Sequence, residues 1–183
     1  MKNILLIIFM LFNFNLSYGA GKMNEAKTVE YVDIPRYMGT WYEIAKFPQW
    51  FEKGLVGVTA NYTLLPNGKV RVINSGYIKD FNGKLKVANG KAKVVDKKTN
   101  AKLKVSFFWP FYGDYWILEL GKDYEYAVVG DNSRKYLWIL SRTTQMEETL
   151  YNELLARIKS KGFDIIKLEK NQQKAVSHRD GVR

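Results

Sequence analysis

The chain contains no cysteine, a single histidine and four prolines among 183 residues. Without cysteine there are no disulfides, so stability has to come from backbone pairing and core packing. The same absence removes a thiolate nucleophile, a zinc–thiolate cluster and any thiol to carry a lipoprotein anchor. The only histidine, His178, lies in a polar C-terminal stretch, which leaves no histidine general base. Ser75, Ser106, Ser133, Ser141 and Ser160 lack a nucleophile setting such as Gly-x-Ser-x-Gly, and no glycine-rich phosphate loop precedes a helix. These gaps point away from an enzyme, and no metal or cofactor is expected.

Long apolar runs are equally scarce. The one candidate, residues 4–16, is shorter than the roughly 20 residues that span a bilayer, and Asn13 and Asn15 interrupt it. With Lys2 before it and Ser17-Tyr18-Gly19 after it, the run reads as a signal peptide over residues 1–19, cleaved after Gly19 or Ala20. The expected location is therefore exported, periplasmic or secreted, without a lipid anchor. Acidic residues are the scarcer charge: 18 Asp and Glu against 29 Lys and Arg give a formal net charge of +11. A basic exported protein is drawn to anionic membranes or acidic ligands, unless lysine is merely its preferred surface residue. Lysines at 84, 86, 91, 93, 97, 98, 102 and 104 fall on one hairpin, where they either face a leaflet or discourage strand aggregation. Nucleic acid is a poor partner, because the aromatics gather inside the fold or at one end of it.

What is present is strand character. Short runs at 41–47, 56–65, 69–78, 84–95, 101–108, 115–120, 124–130 and 136–141 are separated by turn chemistry such as Pro66-Asn67-Gly68. Eight strands with short connections predict an all-β, up-and-down antiparallel barrel. Leu103, Val105 and Phe107 share one face of their strand, with Lys102, Lys104 and Ser106 on the other. On the preceding strand Ala88, Gly90, Ala92 and Val94 share a face, and small inward residues leave a cavity rather than fill it. Asp33 and Pro35 open one helical turn before the first strand. After Arg142 the period changes: Met146, Leu150, Leu154, Leu155 and Ile158 predict one amphipathic helix outside the barrel, ended by Gly162. A last short strand is expected at 163–168. The barrel domain is placed at 20–170, and residues 171–183 read as a polar, disordered tail.

Gly39-Thr40-Trp41-Tyr42-Glu43 opens the first strand, and Arg142 closes Trp138-Ile139-Leu140-Ser141-Arg142 at the end of the eighth. With Gly130-Asp131 between them, and with Val105-Ser106-Phe107-Phe108 and Pro110-Phe111-Tyr112-Gly113, these segments resemble the lipocalin motifs. The resemblance is to the bacterial lipocalin and apolipoprotein D-like group and covers nearly the whole mature chain. Bacterial members carry a lipobox cysteine, which is missing here. The resemblance implies a barrel closed at one end, with Gly39 turning the chain and the Arg142 guanidinium lying over the Trp41 indole. It also implies a non-enzymatic protein that carries, stores or scavenges a small hydrophobic or amphipathic lipid, such as a fatty acid or lysophospholipid.

Strand parity with Trp41 gives the inward candidates Ala60, Tyr62, Val72, Asn74, Leu103, Val105, Phe107, Tyr115, Ile117, Trp138 and Leu140. Alternating strand direction places Trp50, Phe51, Trp109, Phe111 and Tyr112 in loops at the open end, as a portal. Glu43 shares the parity of Trp41. It either faces the pocket with Asn74, a tyrosine hydroxyl or water as partner, or accepts a structural hydrogen bond near the base. Two alternatives remain open: a lipocalin-fold enzyme or isomerase using tyrosines or Glu43, and a membrane-surface adaptor with a vestigial pocket. The chain is expected to be a monomer or homodimer.

Overall fold

The computed structural model describes residues 24–174, so the signal-peptide reading at 1–19 and His178 lie outside the described residues. The Asp33 carboxylate accepts the Arg36 backbone N–H, and Pro35 supplies a preset φ in the first turn, so a short helix forms, α1 (Ile34–Tyr37). Eight antiparallel strands follow: β1 (Gly39–Lys46), β2 (Leu55–Leu64), β3 (Val70–Ile78), β4 (Leu85–Val94), β5 (Lys102–Phe108), β6 (Phe111–Leu120), β7 (Tyr126–Gly130) and β8 (Leu137–Ser141). Each pairs with its predecessor, and β1 pairs with both β2 and β8. The sheet thus closes into the barrel that the strand count predicts.

Most strand ends fall within a residue or two of expectation, and two segments depart further. Phe108 pairs with Phe111, so the β5–β6 turn is only Trp109 and Pro110, and Phe111 and Tyr112 belong to a strand rather than to a loop. Residues 163–168 do not form a strand. The Asp164 side chain accepts the Ile166 N–H and winds a 3-10 turn, Ile165–Lys167; pairing begins only at β9 (Glu169–Lys170), against Ala45 and Lys46 of β1.

At 171–173 the chain beyond β9 departs from the tail reading, whose residues 175–183 lie outside the described residues. β1 and β2 pair only from Gly39↔Tyr62 to Tyr42↔Thr59 and then diverge, leaving backbone groups open on both edges. The segment 171–173 fills that seam. The Asn171 N–H donates to the Ile44 carbonyl (2.8 Å), and the Gln172 carbonyl accepts from the Gly57 N–H (2.7 Å). Gln173 Nε2 donates to the carbonyls of both Glu43 (2.9 Å) and Val58 (2.8 Å). Polar side chains here satisfy strand edges that water would otherwise have to solvate.

Two apolar clusters hold the fold. One fills the lower barrel around Trp41, Val70, Leu103, Ile117, Val129 and Leu140. The other lies outside, where α2 (Glu148–Ser160) buries Tyr151, Leu154 and Ile158 against Ile44, Trp116, Leu118, Val128, Leu137 and Ile139. Met146, Leu150 and Leu155 flank that contact, as the helical spacing predicts. Because β6, β7 and β8 are covered on both faces, all five residues of β7 are buried.

Candidate functional site

The base is built first. The Arg142 guanidinium stands 3.8 Å from the centroid of the fully buried Trp41 ring. The same guanidinium donates to the carbonyls of Met38 (2.8 Å), Thr40 (2.9 Å), Arg36, Tyr37 and Tyr124. It therefore ties α1 and the start of β1 to the end of the barrel while covering the indole. Gly39 takes φ +94°, a left-handed turn that glycine adopts without strain. Trp41 Nε1 donates to the Tyr37 carbonyl, which leaves no polar atom of the plug unpaired.

Above this plug lies a cavity of about 420 Å³, within the range of small-molecule sites. Its floor is formed by Tyr37 from α1, Tyr62 from β2 and Tyr115 from β6. The Tyr115 hydroxyl stands 2.8 Å from that of Tyr37 and 3.0 Å from that of Tyr62. Burial holds all three phenols neutral, pushing Tyr62 up to about 12 and the other two well above the usual tyrosine range. The wall takes in Ala60, Val72, Asn74, Leu103, Val105, Phe107, Trp138 and Leu140. Every inward candidate from strand parity lines this cavity except Ile117, which is wholly buried in the packed lower core and does not form part of the wall.

The small residues of β4 act differently from expectation. Ala92 lines the cavity, but the space at Gly90 is taken by Phe107, whose ring a Cβ would meet at 2.8 Å. β4 pairs with β5 only at 91–94, so its residues 85–90 have β3 as their one neighbour, and Ala88 is exposed. Phe51, Phe111 and Tyr112 border the cavity, whereas Trp50 and Trp109 stand outside it, 87% and 72% exposed. Phe108 stacks on Phe111 across the hairpin and extends the same apolar rim.

A charged group inside the barrel was only partly legible. Glu43 faces inward opposite Leu140 and is 3% exposed. A bulge then shifts the register between Glu43 and Ala45, so Ile44 and Ala45 both pack outward and Lys46 turns in beside Trp138. The 3-10 turn Trp50–Glu52 folds Glu52 back into the mouth, where it accepts from Trp138 Nε1 at 3.3 Å. Lys46 Nζ lies 3.7 Å from Glu43, and Asn171 Nδ2 donates to the same carboxyl at 2.9 Å. Neither Asn74 nor a tyrosine is the partner. Burial, and then the nearby Glu52 charge, push the Glu43 carboxyl up to about 8, which Lys46 and Asn171 only partly offset. Burial raises Glu52 as well. Two acids facing one lysine in little water settle by keeping a proton.

The comparisons with known proteins agree with this architecture. A family model described as a lipocalin-like domain matches residues 32–173. Temperature-induced lipocalin-1 of Arabidopsis thaliana is 45% identical over 162 residues, covering 82% of this chain and 86% of that protein. The outer membrane lipoprotein Blc of Escherichia coli K12 is 46% identical over 135 residues, 74% of this chain and 76% of Blc. Apolipoprotein D of Rattus norvegicus is 35% identical, with 86% of this chain and 85% of the relative covered. Among solved structures, insecticyanin of Manduca sexta superposes with a TM-score of 0.67 at 22% identity, covering 84% of this chain and 87% of that one, a likeness of fold. The stoppered barrel, its ordered motifs and these relatives together place the chain in the lipocalin family.

Proposed function

We propose that this lipocalin is an exported, non-enzymatic binding protein that takes up a single-chain lipid, a fatty acid or lysophospholipid, in the barrel interior. The observation that carries the reading is the cavity: closed below by Trp41 and Arg142, walled by aliphatic and aromatic side chains, and open at one aromatic-rimmed end. Each buried methylene contributes about 0.8 kcal/mol, so about fifteen supply roughly 12 kcal/mol. An association cost on the order of 4 kcal/mol then leaves micromolar affinity. The leader-like residues 1–19 support export, and the absence of cysteine supports a protein without a thiol-linked lipid anchor. The exposed rim aromatics beside the β4 lysines favour peripheral contact with an anionic membrane during loading, as rings with one wet edge suit an interface.

Tryptophan fluorescence tests the reading, because Trp138 lines the cavity and sits against Glu52. Hexadecanoic acid or its lysophospholipid should give a saturable change at micromolar ligand that Trp138→Phe largely removes. No saturable change in folded protein, with any chain length, would overturn it.

A further inference from the structure

The three tyrosines at the cavity floor leave a hydrogen-bond account that does not close. Each hydroxyl has one proton to donate. Tyr115 joins Tyr37 and Tyr62 in two contacts, which use two protons of three. No other hydroxyl contact of these residues exists among the described residues, so one proton is left over whichever way the chain of bonds runs. All three side chains border the cavity, and Tyr37 and Tyr62 are more than nine-tenths buried. A second, separate demand lies on the wall. The Asn74 amide oxygen is buried without a partner among the described residues, and Asn74 lines the same cavity. A purely aliphatic occupant would leave both unanswered.

We propose that the tyrosine floor is a subsite for a neutral oxygen, so that the preferred ligand carries a hydroxyl or ketone at the end of its apolar body farthest from the mouth. That oxygen accepts the spare phenolic proton. The floor suits a neutral group rather than an anion: it has a single spare donor, no lysine or arginine lines the cavity, and the Arg142 guanidinium lies on Trp41 at the base. The inference rests on the lipid-binding reading and refines which lipid is taken: one polar at both ends, with a charged or zwitterionic head at the rim and a neutral oxygen at depth.

The test compares matched lysophosphatidylethanolamines with dodecanoyl, tetradecanoyl and hexadecanoyl chains, each with and without a terminal hydroxyl. The bulky head fixes the orientation, because it cannot reach the floor. Burying a hydroxyl without a partner weakens binding roughly tenfold to a hundredfold. If the floor answers it, the hydroxylated lipid binds the wild-type protein at least as tightly as its partner at the chain length that reaches the tyrosines. Tyr37→Phe/Tyr62→Phe/Tyr115→Phe removes all three hydroxyls and should reverse the order, weakening the hydroxylated lipid about tenfold while sparing the plain one. Removing a single hydroxyl is not enough, since any remaining phenol still has a proton to give. Should the triple variant fail to fold, the wild-type ratio decides alone. Hydroxylated chains binding tenfold or more weakly at every length would overturn the subsite and leave the lipid-binding reading standing. Failure of both members of every pair, and of hexadecanoic acid, to bind would overturn that reading itself.

Discussion

Replacing Glu43 by glutamine should change how stability depends on pH more than it changes the fold. Burial lifts the Glu43 carboxyl from its ordinary 4.5 to about 8, so the folded protein holds a proton that the unfolded chain releases. A raised carboxyl stabilises the folded state fully below the unfolded value, and the benefit is lost as pH climbs through 8. At about 1.4 kcal/mol per pH unit, the loss between pH 5 and pH 8 is on the order of a few kcal/mol from this group. In Glu43→Gln the new side-chain amide keeps an oxygen for Asn171 Nδ2 to donate to and has nothing to titrate. Urea denaturation from pH 5 to pH 8 should therefore show wild-type stability falling while the variant falls much less. Glu52, raised by the same burial, accounts for the slope that remains. Equal slopes in the two proteins, or wild-type stability rising across this window, would refute the placement of a protonated acid inside the barrel.

Arg142→Ala should lower stability by about 3 kcal/mol or more, since it uncovers Trp41 and strips donors from several backbone carbonyls; chemical denaturation measures this. Leu154→Ala, on the outer face under α2, should cost about 2–5 kcal/mol yet leave lipid affinity unchanged in the fluorescence titration. Asn171→Ala removes one donor to Glu43 and another to the Leu55 carbonyl. It should speed hydrogen exchange at the Val58 amide, which bonds Asn171 Oδ1, and push the Glu43 carboxyl further up.

Alternation made the barrel legible. Leu103 and Val105, Trp138 and Leu140, and Ala60 and Tyr62 each sit two residues apart, and that period survives wherever the ladder is regular. The base was legible too, through the resemblance: Gly39, Trp41 and Arg142 stand where the lipocalin motifs set them, and the closed sheet brings them together. The polar interior was not. Lys46 reaches it through a bulge at Ile44 that reverses parity, and the one trace in sequence is two adjacent apolar residues, Ile44 and Ala45. Glu52 arrives on a 3-10 turn of an irregular loop, where no period exists to follow. The seam filled by 171–173 rests on amide side chains meeting open strand edges. That requirement arises only from where β1 and β2 part. Ile117 had the right parity and the wrong depth: it packs in the lower core, outside the hollow.

The central claim is that one lipid occupies the hollow above the tyrosine floor. Native mass spectrometry of wild-type protein and of Ala60→Trp, each incubated with hexadecanoyl lysophosphatidylethanolamine, tests it most directly. Ala60 borders the cavity and also belongs to the apolar cluster around Trp41, its partner across the strands, so an indole there takes up the lower part of the hollow. The account predicts one lipid per wild-type chain and none on the variant, with the circular dichroism of the two proteins unchanged. Equal lipid retention by both, or a bare wild-type chain, would contradict it.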